Sequence, residues 1–423
     1  MLEETDDLDI QLIGGVPVAP QSQQAEQSEK QKLVWAEEDE DRYSRFRLIP
    51  WWDQDILKQA RVLVVGAGAL GNEIMKNLAL LGVGKIFLID LDRIENSNLS
   101  RSVLYRQSDE GSTKAEVAAR SAMEINPDIS VRPFVGNIVH DVGLGVFRSM
   151  DVVICGLDNR EARLWVNQCC WRVNRPWIDG AIEVLHGLAR VFVPPDGACY
   201  ECTMNQIDYE MLRRRKSCAL LTREQMLEGK VPTTPTVSAV IAGIQCQEAV
   251  KLIHNRPDLP VLAGKGYFFN GLTHDSYVVN YVRKQDCMSH ETFADIVQTD
   301  WRAQDLTLGE ALERAKADLG EEAVLDLHRE IVHEMTCEQC SVSVQTSKLL
   351  GKMTESDAAC PKCGEVMALE MCHSISGDEA FLDKTLAEIG IPAFDIISGR
   401  CGMAEMFYEL SGDRAEALGD IAD

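Results

Sequence analysis

Three glycines with G-x-G-x-x-G spacing follow a short apolar stretch. Gly66, Gly68 and Gly71 come directly after residues 61–65, and Asp90 closes the next apolar stretch. Such glycines permit a tight turn close to a phosphate, and the N-terminus of the following helix supplies N–H groups and partial positive charge. An acidic residue at the end of the second strand can accept hydrogen bonds from ribose hydroxyls. The spacing predicts a nucleotide site, with NAD, FAD and ATP all remaining open.

An amide and two cations follow this motif and favour ATP. Asn98 and Arg101 lie in the polar segment SNLSR, and Lys114 begins an amphipathic helix for which Ser112 is a candidate cap. Each cation alone is more often a solvated surface charge. A dehydrogenase needs no such cluster, whereas nucleotidyl transfer does, because the charge on the leaving pyrophosphate must be neutralised.

A carboxylate follows the next buried strand, residues 152–155. Asp158 and Asn159 would therefore lie at the ligand edge of an open α/β sheet. A carboxylate there can hold Mg²⁺, which prefers oxygen ligands and bridges protein to phosphates. Asp158 could also cap the helix that begins at Arg160, and the two roles are compatible.

Three arginines precede the first strand, at positions 42, 45 and 47, together with two tryptophans. Two interpretations have equal weight. A helix could pack its aromatic face on the sheet, or an arginine could contact phosphates, for which the guanidinium group is well suited.

Cys218 is the best candidate nucleophile among the fourteen cysteines. It follows four consecutive cations, residues 213–216, in a polar stretch. Nearby cations lower the pKa of a thiol and raise its thiolate fraction. The alternative is an incidental exposed thiol.

Two further groups of cysteines have the spacing of metal sites. The first pairs a C-x-x-C with a later C-x-x-H and predicts a closed, structural zinc site at Cys199, Cys202, Cys287 and His290. The second has the separation of a zinc ribbon, at Cys337, Cys340, Cys360 and Cys363. With four protein ligands, neither metal would have an open position for catalysis.

The elements around these residues predict an α/β fold. It comprises a Rossmann-like sheet with helices on both faces, a late antiparallel hairpin around Asn270-Gly271, and a small C-terminal zinc-ribbon α+β domain. We expect an acidic disordered arm (1–41), a domain with the nucleotide site and one zinc (42–298) and the zinc-ribbon domain (299–423). Helices are expected at 72–81, 237–253 and 306–318, and a final strand within 389–399.

Composition excludes several classes of protein. The net charge of −25 argues against a general nucleic-acid binder, which would carry a basic face. There is no apolar run near eighteen residues, so we expect no membrane association and a cytoplasmic location. Fourteen cysteines in such a chain suggest metal and thiol chemistry before disulfides.

Taken in order, these motifs resemble the ThiF/MoeB/HesA superfamily, the adenylating domain of ubiquitin-activating enzymes. The resemblance covers residues 61–255, about half the chain, and rests on RYSR, VVGAGALG, LIDLD, SNLSR, GSTK, INP, GLDN, PWIDG and CYEC. The segment KSCA…PTTP…VIAGIQ is most similar to single-domain activators such as that of the ubiquitin-fold modifier. Two features depart from the family: C-x-x-H replaces the usual second cysteine pair, and LTREQMLEGKV separates Cys218 from the PTT turn.

The resemblance implies roles for individual residues. Asp90 and Asn98 would hold the ribose and phosphates of ATP, Arg101 and Lys114 would grip the triphosphate, and Asp158 would place Mg²⁺. Arg45 would reach the active site of a neighbouring subunit, which implies a homodimer. Cys218 would be the thioester nucleophile.

The function implied is ATP-dependent activation of a ubiquitin-like protein, followed by thioester transfer to a conjugating enzyme, in a setting such as a bacterial ubiquitin-like pathway. One alternative is a sulfur-carrier adenylyltransferase that forms no thioester. A second is a non-catalytic scaffold that binds the modifier and a partner. An NAD dehydrogenase is the weakest of the four.

Overall fold

A computed structural model describes residues 41–210 and 232–423. Residues 45–423 belong to one compact unit, and every contact discussed below lies within it except for one turn at residues 41–44. The expected arm falls outside the described residues except for Asp41, which begins a short turn closed by a hydrogen bond from Ser44 N to Asp41 O (3.2 Å). Among the described residues, no helix is both long and apolar enough to cross a membrane.

The first sheet has eight strands in the order β3-β2-β1-β4-β5-β6-β7-β8. The first five strands in this order are parallel, and the last three connections are antiparallel. The strands are β1 Arg61–Val65, β2 Lys85–Asp90, β3 Ser130–Val135, β4 Val152–Cys155, β5 Trp177–Glu183, β6 His186–Phe192, β7 Lys265–Asn270 and β8 Asp275–Asn280. Because the chain leaves β1 toward β2 and later returns to its other side as β4, a crevice opens beyond the carboxyl ends of β1 and β4.

Helices cover both faces of this sheet, as predicted. In β1, Val62 and Val64 belong to one buried core, while Leu63 and Val65 belong to the other. This alternation follows from the two-residue period of a strand and explains why the segment is apolar throughout. The helices of this region are α1 Gln54–Gln59, α2 Ala69–Leu81, α3 Lys114–Ile125, α4 Leu144–Arg148, α5 Arg160–Arg172 and α6 Pro235–His254.

The antiparallel hairpin forms, but its turn differs from the prediction. β7 ends at Asn270 and β8 begins at Asp275, so four residues connect them instead of a two-residue Asn-Gly turn. Asn270 pairs with Asp275 in the ladder, and its side-chain oxygen accepts a hydrogen bond from Leu272 N (3.0 Å). The asparagine is therefore the last paired residue of β7, one residue later than a two-residue Asn-Gly turn would allow, and its side chain closes an Asx turn.

A second, six-stranded sheet follows, in the order β11-β10-β13-β14-β9, with β12 also paired to β10. Helix α7 packs on it, together with the short helix α8, whereas the short helix α9 contacts α4. Its first strand, β9, lies on the N-terminal side of the expected domain boundary at residue 298. The strand expected to be the last, β13, is followed by a further strand, β14. The elements are β9 Ile296–Gln298, α7 Leu308–Leu319, β10 Val324–Thr336, β11 Ser343–Leu349, β12 Ala368–Ile375, α8 Leu386–Ile389, β13 Ile396–Cys401, β14 Ala404–Glu409 and α9 Arg414–Leu418.

The second sheet shares a core with the first. The crossover from β3 to β4 contains only the five-residue helix α4, and Phe394 and Phe407 fill this face of the first sheet. Gly143 and Gly145 permit the contact, because a Cβ on either would lie 2.5 Å from the carbonyl oxygen of Phe394. Asp395 accepts a hydrogen bond from Leu144 N (2.8 Å) beside them. The two sheets thus contact each other directly, through backbone atoms of residues 143–145 and 394–395.

Candidate functional site

The glycine turn lies where β1 and β4 meet. Gly66 has a φ of +94°, and a Cβ on it would lie 2.7 Å from the carbonyl oxygen of Gly156. A Cβ on Gly71 would overlap the carbonyl oxygen of Gly66. Gly68 is the residue before α2 and has open space at its Cβ position. Two of the three glycines are therefore required by close packing, and the third leaves room for a ligand at the start of the helix.

Two polar side chains that the sequence analysis did not identify hold the turn in place. Asn72 Nδ2 and the Tyr105 hydroxyl both donate to the carbonyl oxygen of Ala67 (2.7 and 2.6 Å). Asn72 Oδ1 accepts from Leu104 N (3.0 Å), which connects the turn to the loop after β2. Asn72 could have been identified from the sequence, because it is a polar residue on the predicted buried face of α2. No sequence feature indicated the contact of Tyr105.

Asp90 ends β2 and contacts the same turn. Its carboxylate accepts hydrogen bonds from Ala67 N (2.7 Å) and Asp92 N (2.8 Å). Burial raises the pKa of Asp90, while the charge of Lys114 and the two N–H donors oppose that rise. The residue therefore braces the turn from the β2 side and lies close to a cation.

Lys114, Arg101 and Asn98 are arranged along the loop after β2 and the helix that follows it. Lys114 is the first residue of α3 and forms an ion pair with Asp92 (2.7 Å). Arg101 donates to Ser97 O (2.6 Å), and the buried Asn98 accepts from Glu95 N (2.9 Å). The cap of α3 is Thr113 and not Ser112, because the extended backbone persists through Thr113.

Asp158 lies in the loop after β4, at the other side of the crevice. Its side chain is exposed, and it does not cap α5. Asn159 does so, because its backbone is extended and its side-chain oxygen accepts from Ala162 N (2.7 Å). The cap predicted at Asp158 is therefore one residue too early. Asp158 is thus available to bind a cation at the mouth of the crevice.

A buried ion cluster lies below this loop. In this cluster, which we call the Asp179 cluster, Asp179 Oδ1 accepts from Arg163 Nε (2.8 Å) and Oδ2 accepts from Arg190 Nε (2.9 Å). Asp179 is fully buried on β5. Burial alone would raise the pKa of Asp179, but the charges of Arg163 and Arg190 together outweigh it and hold the pKa below its usual value.

The crevice accordingly brings together the glycine turn, Asp90 and Lys114, and the loop that carries the exposed Asp158 contacts the turn through Gly156. Arg45 lies on the surface just ahead of α1. Cys218 lies outside the described residues. On one side of that gap, Asp208 pairs with Arg160 at the start of α5 (2.9 Å). On the other, Pro232 O accepts from Val184 N (2.7 Å) at the end of β5.

The first cysteine group does form a cluster, which we call the inner cluster: Cys199, Cys202, Cys287 and His290. The sulfur atom of Cys199 lies 3.7 Å from that of Cys202 and 3.4 Å from that of Cys287. Cys202 Sγ lies 3.4 Å from His290 Nε2. Tetrahedral zinc with bonds of about 2.3 Å would separate its sulfur ligands by about 3.8 Å. The donor set and its spacing therefore fit a structural zinc.

Neighbouring groups support the inner cluster. Lys284 N donates to Cys202 Sγ (3.3 Å), and the ring of His290 lies 5.0 Å from the ring of the buried Trp171. Glu201 accepts from Ser289 Oγ and from the Tyr209 hydroxyl (3.0 Å). Burial lowers the pKa of His290, which favours the neutral imidazole that a metal ligand requires.

The second group also forms a cluster, which we call the outer cluster: Cys337, Cys340, Cys360 and Cys363. Cys337 Sγ lies 3.6 Å from Cys363 Sγ, and Cys363 is exposed. Backbone N–H groups of Lys362 and Cys363 lower the pKa of Cys360 to about 7, which favours the thiolate. Four sulfur donors at this separation suit zinc, as in a zinc ribbon.

Comparison with known proteins places this geometry in a family. The profile of the ThiF family matches residues 40–289. The SAMP-activating enzyme E1 of Haloferax volcanii is 34% identical over 260 residues, which are 58% of this chain and 87% of that protein. The sulfur carrier protein adenylyltransferase of Thermus thermophilus is 36% identical over 40% of this chain and 66% of its own.

Other relatives share a smaller part of their length. The NEDD8-activating enzyme E1 catalytic subunit of Schizosaccharomyces pombe is 38% identical over 36% of each chain. The match spans 36–42% of that subunit and of its counterparts in Drosophila melanogaster and Caenorhabditis elegans. Among solved structures, Escherichia coli MccB with ATP gives a TM-score of 0.50 at 27% identity, covering 60% of this chain and 75% of that one.

Proposed function

The chain belongs to the ThiF family, and we propose on this basis that it adenylates the C-terminus of a ubiquitin-like protein. The observation that carries the proposal is the crevice between β1 and β4. There the glycine turn meets a ribose-type acid (Asp90) that lies close to a cation at a helix start (Lys114), and the neighbouring loop after β4 carries an exposed carboxylate (Asp158). Relatives named for activation of such proteins support it.

In the proposed first step, the C-terminal carboxylate of the modifier attacks the α-phosphorus of ATP. An acyl–phosphate bond forms, the α–β bridging bond breaks, and pyrophosphate leaves. Asp90 and Asn98 hold the ribose and phosphates, and Arg101 and Lys114 neutralise the charge that develops on the pyrophosphate. Asp158, with Asn159 beside it, would hold Mg²⁺, which supplies further positive charge when bound.

Lys114 must change partner in this scheme, since it pairs with Asp92 in the structure. We propose that ATP displaces the Asp92 carboxylate from Lys114.

We also propose that Arg45 enters the crevice of a second copy in a homodimer. The nucleotide domain (42–298) would contribute its last strand, β9, to the C-terminal zinc-ribbon domain (299–423).

In the proposed second step, the thiolate of Cys218 attacks the acyl carbon, a thioester forms, and AMP leaves. The modifier then passes to the cysteine of a conjugating enzyme. Support comes from the four cations before Cys218 and from the anchors that flank it. Both anchors, Asp208 on Arg160 and Pro232 on Val184, lie at the carboxyl side of the sheet beside the crevice.

Incubation with modifier, ATP and Mg²⁺ tests the two steps together. We expect ATP–pyrophosphate exchange and a covalent adduct that reductant cleaves. In Cys218→Ala, exchange should persist and the adduct should disappear, whereas Cys372→Ala, a half-buried thiol elsewhere, should retain both. An adduct that persists in Cys218→Ala would show that another residue is the nucleophile.

A second candidate function is adenylation without a thioester, as the Thermus thermophilus sulfur carrier protein adenylyltransferase suggests. It predicts exchange with no adduct in the unmodified chain, and release of the acyl group to a sulfurtransferase. A non-catalytic scaffold would show neither exchange nor ATP binding. The two zinc ions would act structurally in every case, because each cluster already provides four ligands.

A further inference from the structure

Arg163 contacts the backbone of the residue directly before Asp158. Its Nη2 donates to Leu157 O (2.5 Å) and to Gly180 O (3.0 Å), while its Nε donates to Asp179. One guanidinium therefore joins the loop after β4 to the middle of β5. Nothing in the spacing of the sequence indicated this contact.

The other residues around Asp158 are fixed as well. Gly156 N donates to Val65 O (2.9 Å), and Asn159 caps α5 through Ala162 N (2.7 Å). Backbone on both sides of Asp158 is thus held, and the exposed carboxylate is left as the adaptable group. A ligand that is held by its neighbours binds a cation without first paying the entropy of ordering its loop.

The Asp179 cluster makes this contact possible. The side chain of Arg163 is only 11% exposed, and a buried guanidinium without a counter-charge is strongly destabilising. Asp179 supplies the counter-charge, and Arg190 satisfies its second oxygen. Lysine at position 163 would keep the charge but could not donate to Asp179, Leu157 and Gly180 at once, because it lacks the planar fork.

We propose that Arg163 is a positioning residue that sets the affinity of the Asp158 loop for the divalent cation. This rests on the proposed role of Asp158 in ATP binding. Asp179 holds Arg163 in place, and Arg190 holds Asp179. The loss of cation affinity on substitution should therefore be largest at Arg163, smaller at Asp179 and smallest at Arg190, since each residue is one contact further from the loop.

The test compares Arg163→Lys with Arg172→Lys in the full-length protein. Arg172 lies at the other end of α5 and pairs with Glu291, away from the loop. In Arg163→Lys, the Mg²⁺ concentration for half-maximal ATP–pyrophosphate exchange should rise by about tenfold or more, as for other residues that orient metal ligands. The exchange rate at saturating Mg²⁺ and the ATP affinity in EDTA should stay within about twofold of the unmodified protein.

Hydrogen exchange of the amides of residues 156–159 gives a readout that does not depend on activity. It should accelerate in Arg163→Lys and not in Arg172→Lys. If the unmodified protein lacks pyrophosphate exchange, the proposed function fails, whereas the amide measurement still tests whether Arg163 fixes the loop.

The proposal is overturned if the exchange rate falls with an unchanged Mg²⁺ dependence, if the amides are unaffected, or if Arg172→Lys behaves like Arg163→Lys. Should Arg163→Lys fail to fold, Arg190→Lys decides. Its Mg²⁺ requirement should rise by a smaller factor, about two- to fourfold, and an unchanged requirement would contradict the inference.

Discussion

The inner and outer clusters have almost the same short-range spacing, but the protein uses them differently. The inner cluster joins segments 88 residues apart and is packed against Trp171 inside the core of the first sheet. The outer cluster joins segments 26 residues apart, with Cys363 exposed and a small separate core around Met335 and Met367. A bound zinc would therefore crosslink distant segments of a domain in the first case and hold a local hairpin in the second.

The difference follows from the length of chain that each cluster closes. Closing a longer loop removes more conformational freedom from the unfolded chain, so the crosslink contributes more to stability. The inner cluster also has polar neighbours such as Glu201, which accepts hydrogen bonds from Ser289 and Tyr209. We therefore expect loss of the inner metal to affect the whole nucleotide domain.

The largest effect is predicted for Cys202→Ser. Removing one inner ligand should lower the free energy of unfolding by several kcal/mol, because binding energy of structural zinc is folding energy. Thermal unfolding should shift strongly to lower temperature, and ATP–pyrophosphate exchange should be lost. Cys372→Ser, outside both clusters, is the matched control. A variant with normal exchange would show that the inner cluster is dispensable.

Cys363→Ser should have a smaller and more local effect. We expect zinc content to fall from two ions to one, and amide exchange to accelerate within residues 337–367. Pyrophosphate exchange should stay within about twofold, because the outer cluster has its own small core and lies outside the crevice. Loss of exchange together with the outer metal would place the two clusters in one cooperative unit.

Chelation should separate the clusters in time. A chromogenic chelator should remove the outer zinc first, since an exposed thiolate is accessible to attack and to protonation. The inner zinc should leave only on the timescale of unfolding. Simultaneous release of both ions would contradict the difference in accessibility.

The smallest effect concerns the contact between the two sheets at His140. Burial and the charge of Arg329 lower the pKa of His140 to about 4, while Asp141 opposes and Lys352 adds to the shift. The folded protein therefore binds fewer protons than the unfolded chain between about pH 6.5 and 4. Stability is fully present above pH 6.5 and falls as the pH drops through this range, by on the order of 1 kcal/mol.

The measurement is the free energy of unfolding against pH for the unmodified protein and for His140→Gln. The slope between pH 6.5 and 4 should be shallower in the variant, while the value at pH 7.5 should change little. Gly351 presses against the His140 ring from the chain after β11, so this slope reports on the contact between the region of the outer cluster and the first sheet. Equal slopes would show that His140 does not contribute.

Much of the fold could be predicted because its signals are local. The apolar run of β1, the glycine turn and the paired C-x-x-C motifs each occupy a few residues, and family membership was confirmed. The caps at Thr113 and Asn159 were misplaced by one residue, since neighbouring polar residues offer nearly equal side chains and only the backbone angles decide between them.

The remaining features depend on contacts far apart in sequence. Asp179 meets Arg190 because β5 and β6 pair in one register, and Tyr105 meets Ala67 only when the loop after β2 folds back. The shared core with Phe394 requires residues 251 positions apart to meet, as Asp395 and Leu144 do. The catalytic and ligand-binding roles of the site residues remain predictions from the motifs and the resemblance: Arg45, Asp90, Asn98, Arg101, Lys114, Asp158 and Cys218.

The approach of Phe394 to Gly143 and Gly145 has a consequence for synthesis on the ribosome. One face of the first sheet is closed by residues made about 250 positions later, so a nascent chain that has exposed only β1–β8 still presents an uncovered apolar face. Since chains emerge at roughly 5–20 residues per second, that apolar face would stay exposed for many seconds before β13 and β14 are synthesised. Chaperone binding during this interval should therefore concentrate on nascent chains that lack β13 and β14.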